Sequence, residues 1–291
     1  MDDHAGARPA APPDEQPPDE RQLLEQQLVA RLRAAGCVFA EDEARLLLAA
    51  ARGAELERLV TRRAAGEPLE QVLGWAEFDG LRLVVEPGVF VPRRRTELLV
   101  DVADALLGER ASAAVVELCC GVGAVSAALL RRRPRLDVVA ADLDPAAVRC
   151  ARRNLGDRAH VVEGDLFAPV PGHLRGEVDV VVANAPYVPT AAIATMPPEA
   201  RLHEPGLALD GGADGLDLHR RIAEEARGWL APGGSVLVET SERQAPATEA
   251  LLASAGLLTQ VLHDDELDGT VVVGRLPGRP GIVADGASPA S

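Results

Sequence analysis

The 291-residue chain contains no lysine; all 30 of its basic residues are arginine. That absence excludes Schiff-base catalysis through a lysine and any phosphate loop that depends on one. Aromatic residues make up only 2% of the chain, with Tyr187 as the one tyrosine, so a core must be built from Val, Leu and Ala. The four cysteines, Cys37, Cys119, Cys120 and Cys150, form no C-x-x-C pair and have no histidine at zinc spacing, so neither a metal site nor a disulfide framework is expected. No basic leader precedes an apolar stretch, and no run of about 18 apolar residues occurs, so the expected setting is cytoplasmic, away from membrane. Basic charge is outnumbered as well, 45 acidic groups giving a net charge of -15. Such a chain repels polyphosphate, and no stable nucleic-acid partner is expected.

What is present is a chain 47% hydrophobic and 26% charged, enough for one substantial core and a small accessory domain. Residues 1–20 are acidic and hold five prolines, which reads as a disordered tail. From 22 to 65 apolar residues recur at helical spacing (Leu23, Leu24, Leu28, Leu32, then Leu46, Leu47, then Leu56, Leu59), which predicts three short helices in a domain over 21–68. Residues 69–93 contain Asp79-Gly80 between two β-prone runs, a hairpin signal expected to link two domains. Beyond Thr96, expected to cap a helix at 97–107, short apolar runs alternate with amphipathic segments through 278. Strands are predicted at 114–118, 137–141, 160–163, 178–183, 235–239, 257–263 and 270–273. Helices are predicted at 124–132, 145–154, 216–230 and 244–255. The pattern is that of an α/β fold with a mostly parallel sheet covered by helices. Residues 279–291 read as a second loose tail.

The chemistry concentrates where strands end. The strand at 114–118, with Glu117 inside it, runs through Cys119-Cys120-Gly121-Val122-Gly123 straight into a helix, and glycines there let a ligand approach the backbone at a helix N-terminus. Asp142, closing the next strand some twenty residues on, suits ribose hydroxyls. Together they indicate a nucleoside-containing cofactor, and this spacing alone also fits a nicotinamide dinucleotide. The fourth strand separates the readings, because it leaves the sheet as Asn184-Ala185-Pro186-Tyr187. The Asn184 side-chain oxygen and the Ala185 carbonyl can accept both N–H bonds of a planar NH₂ group. Pro186 fixes the turn, and Tyr187 packs on the flat target. An amide nitrogen is a poor nucleophile, so acceptors aimed at its hydrogens favour the charge that develops as a bond forms to a methyl sulfonium.

These motifs, with E-x-x-x-L-G near Glu70, A-E-F-D-G-L, V-F-V-P-R-R-R-T-E-L-L-V, D-L-D-P-A-A-V, G-D-L-F and E-P-G-L-A-L-D-G-G-A-D-G-L-D, resemble the HemK/PrmC family over about residues 22–275. The resemblance implies a helical N-terminal domain that selects the substrate, a β-hairpin, and a seven-stranded Rossmann-like S-adenosylmethionine methyltransferase domain over 94–278. It implies transfer of a methyl group to a protein glutamine N5, usually in the Gly-Gly-Gln loop of a peptide-chain release factor, with a sister branch acting on a ribosomal protein. It further implies that Glu117, residues 119–123, Asp142 and Leu143 serve the cofactor, that Asp165 and Leu166 lie beside its adenine, and that Asn184 serves both cofactor and substrate. Asn184, Ala185, Pro186 and Tyr187 would be the catalytic pocket. Three segments depart from the family pattern. The usual Asn-Pro-Pro-Tyr reads Asn-Ala-Pro-Tyr, the first glycine of the cofactor loop is Cys119, and the usual Arg-Pro-acid-Thr-Glu reads Arg93-Arg94-Arg95-Thr96-Glu97. A base-amine methyltransferase is one alternative, because the exocyclic amine of a base is also a planar NH₂, and a binding protein that keeps the fold but has lost activity is the alternative that the altered Cys119, Ala185 and Arg94 positions leave.

Other features have plainer readings. Arg131, Arg132 and Arg133 close a helix, where cations complement its dipole. Arg93 to Arg95 read as a solvated turn or, bordering the site, as a contact to an acidic partner or RNA. Cys119 and Cys120 read as packing, and the scattered histidines as structural or surface residues.

Overall fold

The computed structural model describes residues 18–110 and 112–278. The tail expected at 279–291 lies outside these residues, as do 1–17 of the N-terminal one. Residues 18–20, expected in that tail, instead begin the first helix, with Asp19 and Glu20 in its first turn, where acids suit the helix dipole. The chain divides after Leu73 into two compact units.

The described residues of the first unit form four helices, α1 (Pro18–Ala34), α2 (Ala40–Ala50), α3 (Gly53–Ala64) and α4 (Leu69–Leu73). Periodicity predicts three; the fourth has five residues, too few for a 3.6-residue repeat to register. Leu28, Leu32, Ala44, Leu47, Val60 and Val72 form its core. Beside them, Arg63 makes two bonds to the Glu43 carboxylate, at 2.6 and 3.0 Å, in a buried fork.

The second unit opens with the hairpin β1 (Trp75–Phe78) and β2 (Leu81–Val84). Asp79 and Gly80 have φ of 47° and 68°, the two left-handed residues that a tight hairpin turn requires. Ala76, Phe78 and Leu83 sink into the core of this unit. The turn is tied down by charge, the Asp79 carboxylate receiving Arg131 and Arg132 at 2.7 Å each. Asn154 fastens the second strand: its Oδ1 accepts the Val84 N–H at 2.7 Å, and its Nδ2 donates to the carbonyls of Val84 (3.1 Å) and Val122 (2.9 Å).

There follow α5 (Glu97–Leu107), β3 (Ala114–Leu118), α6 (Ala124–Arg132), β4 (Asp137–Asp142), α7 (Pro145–Leu155), β5 (His160–Glu163) and β6 (Val178–Ala183). Two short helices, α8 (Thr190–Ile193) and α9 (Pro198–His203), precede α10 (Asp217–Ala226), β7 (Leu230–Glu239), α11 (Ala245–Ser254), β8 (Leu258–Asp264) and β9 (Gly269–Arg275). The seven strands lie in the order β5-β4-β3-β6-β7-β9-β8. The first five run parallel, and β9 is antiparallel to both neighbours. Alternation along the strands divides the core. Val115, Val138, Val180 and Leu237 face α5, α6 and α7, whereas Val116, Val139, Val181 and Val236 face α10 and α11. The central strands therefore read as continuous apolar runs, as strands buried on both faces must.

Two boundaries in the second unit differ from expectation by four residues or more. The helix predicted over 216–230 ends at Ala226, and β7 begins at Leu230, well before the expected 235. Pro232-Gly233-Gly234 hides this strand start in the sequence. The strand accommodates them through a register shift, Leu230 pairing with Val178 before the ladder resumes at Ser235 opposite Val180. Thr96 precedes α5 as expected but does not cap it with its side chain; its hydroxyl is engaged elsewhere, as described below.

Replacing Asn154 with Ala leaves two carbonyls and one N–H without this partner. The variant should lose about 2–3 kcal/mol of stability in urea unfolding, with faster hydrogen exchange at the Val84 amide than at the amides of β3. Unchanged exchange at Val84 would show that the hairpin is held by its apolar face alone.

Candidate active site

In the sheet, β3 lies between β4 and β6, so the chain runs outward on one side and crosses back to the other. That topological switch opens a crevice at the carboxyl ends of the strands. A cleft with about 1020 Å³ of empty space, partly open to solvent, occupies that place.

One wall comes from the turn after β3. Cys119 has φ of 52°, a conformation that disfavours a side chain, and Gly121 has φ of 55°. A Cβ at Gly121 would meet no atom within 4 Å, so its backbone borders open space. Gly123 stands differently, because a Cβ there would press on Leu155 at 2.9 Å; this glycine allows α6 to pack on α7. Asp142, at the end of β4, ties the turn to the sheet. Its Oδ2 accepts the Gly121 N–H at 2.7 Å and its Oδ1 the Asp144 N–H at 2.8 Å. Burial raises the Asp142 carboxyl above its ordinary value, and these two backbone bonds oppose the rise. Each oxygen retains a lone pair for a further donor.

Of the residues expected around a cofactor, Cys119, Gly121, Asp142, Leu143, Asp165, Leu166 and Asn184 line this cleft together. Leu143 is half exposed, Leu166 is buried, and Asp165 is held by Arg221 at 2.8 Å. Glu117, Cys120, Val122 and Gly123 are buried and stand apart from that lining. Glu117 supports the turn from behind, its Oε2 accepting the Ser126 N–H at 2.9 Å and the Ser126 hydroxyl. Burial lifts its carboxyl to about 7. Burial also raises the Cys119 thiol well above its usual range, so this cysteine is a neutral thiol.

The opposite wall is the exit of β6. Asn184, Ala185, Pro186 and Tyr187 all line the cleft. A loop the sequence motif contains, but whose purpose it does not reveal, clamps this exit. The Val188 N–H donates to the Leu209 carbonyl at 3.0 Å, and the Val188 carbonyl receives the Gly211 N–H at 2.9 Å. Gln244 Nε2 donates to the Tyr187 carbonyl at 2.9 Å. A Cβ at Gly211 would sit 2.7 Å from the Pro186 carbonyl oxygen, and one at Gly215 2.3 Å from that of Tyr187, so both must be glycine for the loop to close. Tyr187 is pushed up to about 12, first by burial and then by Glu239, while Arg95 opposes.

The arginine run corrects its sequence reading as a solvated turn. Arg93 pairs with the buried Glu204, and Arg95 Nε donates to the buried Glu239 at 3.2 Å; only Arg94 of the three is exposed. Arg131 to Arg133 do close α6, but they also pair with Asp79, Asp101 and Asp104. Sequence reasoning also missed Phe90, Met196, Leu207 and Leu218 as lining residues. Isolated apolar residues outside a strand end give no local signal of a site. Thr96 was missed for another reason: it reads as a cap, yet its Oγ1 accepts Asn184 Nδ2 at 3.1 Å. Among the described residues no cluster of three His, Cys, Asp or Glu side chains could hold a metal ion, and no helix is long and apolar enough to cross a membrane.

Comparison with known proteins gives the family. Residues 80–200 match the model of the methyltransferase small domain. The crystal structure of a methyltransferase from Pyrococcus furiosus shares the fold, with a TM-score of 0.52 at 17% identity, over 68% of this chain and 90% of that one. A release factor glutamine methyltransferase of Geobacter sulfurreducens is 42% identical over 212 residues, 72% of this chain and 71% of that protein. One from Bradyrhizobium diazoefficiens is 38% identical over 258 residues, 79% of this chain and 86% of its own length. The chain belongs to the release factor glutamine methyltransferase family.

Within this family's expected pattern, the two departures nearest the chemistry have structural counterparts. Ala185 is buried and keeps its place in the wall, and Arg95, where the family carries an acid, is the counter-ion of Glu239.

The buried Glu117 gives a pH-dependent test. Its folded carboxyl holds a proton more tightly than the unfolded chain does, which favours folding below about pH 4.5 and ceases to do so as pH rises through 7. A Glu117→Gln variant carries no such ionisation, and its amide oxygen can keep both Ser126 bonds. Its stability relative to the parent should therefore grow by about 3 kcal/mol between pH 4.5 and pH 8. Urea unfolding at both pH values measures this, and a constant difference would show that Glu117 is not strained by burial.

Proposed function

We propose that this protein transfers the methyl group of S-adenosylmethionine to the side-chain amide nitrogen of a glutamine, in the Gly-Gly-Gln loop of a peptide-chain release factor. The observation that carries the reading is the meeting of Asn184, Ala185, Pro186 and Tyr187 with Gly121 and Asp142 on one cleft at the switch point of the sheet. The names of the relatives support the release factor as substrate.

The cleft fits the cofactor on its own features: open space beside the Gly121 backbone, a carboxylate at Asp142 with spare lone pairs, and the apolar Leu143 and Leu166. Asp142 would hold the ribose hydroxyls, Leu143, Asp165 and Leu166 would surround the adenine, and the turn from Cys119 to Gly121 would follow the remainder. When bound, the cofactor supplies a methyl group on a positively charged sulfur, an electrophile that needs no further activation.

The protein's own residues then prepare the nucleophile. Asn184 Oδ1 and the Ala185 carbonyl accept the two N–H bonds of the glutamine amide, stabilising positive charge as its nitrogen becomes tetrahedral, and the methylated nitrogen, strongly acidic while it carries both protons, then releases one of them to solvent. Pro186, with its fixed φ, aims that carbonyl. Tyr187, protonated throughout the physiological range, covers the amide plane and excludes water. Holding the nitrogen in line with the methyl carbon supplies the remaining advantage.

Incubation of the purified protein with release factor and S-adenosylmethionine should add one methyl group to the Gly-Gly-Gln glutamine, read by intact mass and fragmentation. Asn184→Ala should lower kcat by about 10²–10³-fold, while the Cys119-to-Gly121 and Asp142 side of the cleft still binds cofactor in a titration. Undiminished turnover in this variant would refute the assigned role of Asn184. Methyl incorporation into nucleic acid and never into protein would refute the substrate.

A further inference from the structure

The cofactor takes one side of the cleft and the target amide the exit of β6, which leaves part of the lining without a task. Met196, Pro205, Leu207 and Ala208 line this same cleft. They come from one segment, residues 189–208, which carries α8 and α9. The segment leaves and returns beside the reacting end. Val188, which follows Tyr187, exchanges backbone bonds with Leu209 and Gly211, and the Thr190 N–H donates to the Gly212 carbonyl at 2.9 Å. A second anchor lies where α9 stops. There the buried Glu204 carboxylate takes Arg93, whose guanidinium lies 5.1 Å from the centre of the Phe90 ring. Arg93 stands three residues before Thr96, the partner of Asn184. Both anchors therefore tie the segment to the neighbourhood of Asn184 and Tyr187.

Two properties of this wall bear on what lies against it. It is apolar without being core. Leu207 is 54% exposed, and neither Leu207 nor Met196 belongs to the two apolar clusters that flank the sheet. Covering such side chains is favourable, and a molecule entering the cleft is what can cover them. The wall also offers no unpaired negative charge. The ionisable groups in this part of the lining are Arg93, Arg95 and Glu204; Glu204 is taken by Arg93, and Arg95 is paired with the buried Glu239 outside the lining. A cationic side chain set here would meet two guanidiniums and apolar surface, with no free carboxylate to replace its water. A residue without a side chain loses nothing and lets its backbone come close.

We propose that Met196 and Leu207 are specificity-determining residues, forming with Pro205 and Ala208 a subsite that selects small, uncharged residues beside the target glutamine. The proposal rests on the glutamine-methylation reading and deepens it, naming the side chains with which the cleft tests the substrate loop. Arg93 and Glu204 act at one remove, as the pair that holds the segment in place.

Steady-state methylation of release factor gives the first test. Leu207→Ser and Met196→Ser should each raise the KM for release factor about 10-fold, with kcat within about twofold of the parent and the Kd for S-adenosylmethionine unchanged. Leu202 belongs to the same segment and is 66% exposed, but it stands off the cleft lining. Leu202→Ser should leave these constants as they are. The second test exchanges charge. Release factor with lysine in place of the glycine next to the target glutamine should lose about 100-fold in kcat/KM with the parent enzyme, and Leu207→Glu should recover about 10-fold of that loss. Loss of folding cannot produce such a recovery. The third test reads binding without turnover. Methionine occurs at positions 1 and 196, so ¹³C-methyl labelling, assigned with Met196→Leu, isolates the Met196 signal. That signal should shift when release factor is added in the presence of S-adenosylhomocysteine. An unchanged KM in Leu207→Ser and Met196→Ser, an equal rise in Leu202→Ser, or no recovery by Leu207→Glu would overturn the subsite. So would a Met196 signal that release factor leaves unmoved, whether or not methyl transfer occurs. A parent protein that transfers no methyl group to release factor, while its Met196 signal still shifts, would overturn the reaction reading and support the subsite.

Discussion

The chain leaving β6 must hold an extended path at the mouth of a crevice, where no neighbouring strand supplies hydrogen bonds, and every feature of the site depends on how that path is fixed. On one side the loop from Leu209 to Gly215 takes over the role of a strand. It exchanges backbone bonds with Val188 and approaches so closely at Gly211 and Gly215 that a methyl group would not fit. Gln244, at the start of α11, bridges the Tyr187 and Asp214 carbonyls and so joins the two segments. On the other side Asn184 is held through Thr96. An otherwise irregular segment is thus satisfied at both edges, which is what rigid placement of acceptors requires.

Arginine chemistry explains why a chain without lysine can keep this many basic residues near an acidic site. A guanidinium is planar and carries several donors, so one residue can bridge partners in a fixed geometry. Arg132 does so between Asp79 and Asp101, joining the hairpin turn to α5. Arg93 and Arg95 reach carboxylates that are buried at Glu204 and Glu239, where burial alone would push the acids toward their neutral form. The sign change that Arg95 introduces into the family's segment is therefore directed inward, at Glu239, and Arg94 is the member of the run that remains on the surface.

Cys119 is the departure with a backbone consequence. It adopts a left-handed conformation that glycine enters freely and that costs another residue about 1–2 kcal/mol. The surrounding structure holds it there through the Cys120 N–H bond to Ala141 and the Gly123 N–H bond to the Cys120 carbonyl. The turn keeps its shape with a thiol in the cleft lining, and burial keeps that thiol protonated.

The sequence by itself determined the sheet and the two ends of the cleft. Apolar runs such as those of β3, β4 and β6 can only be strands covered on both faces, and the turn at Gly121, the acid Asp142 and the series from Asn184 to Tyr187 each lie within a few residues of a strand's end, so local pattern reveals them. What the sequence left undetermined lies in pairings between distant segments. Thr96 reads as a helix cap because its immediate neighbours form a helix; only the tertiary structure brings it to Asn184. The run from Arg93 to Arg95 reads as solvated because charge alone does not say where the opposing carboxylates are buried. Pro232-Gly233-Gly234 reads as a break, and the ladder formed with β6 makes it part of a strand. Periodicity and turn chemistry are properties of contiguous residues, whereas hydrogen-bond partners, burial and counter-ions are properties of the packed chain.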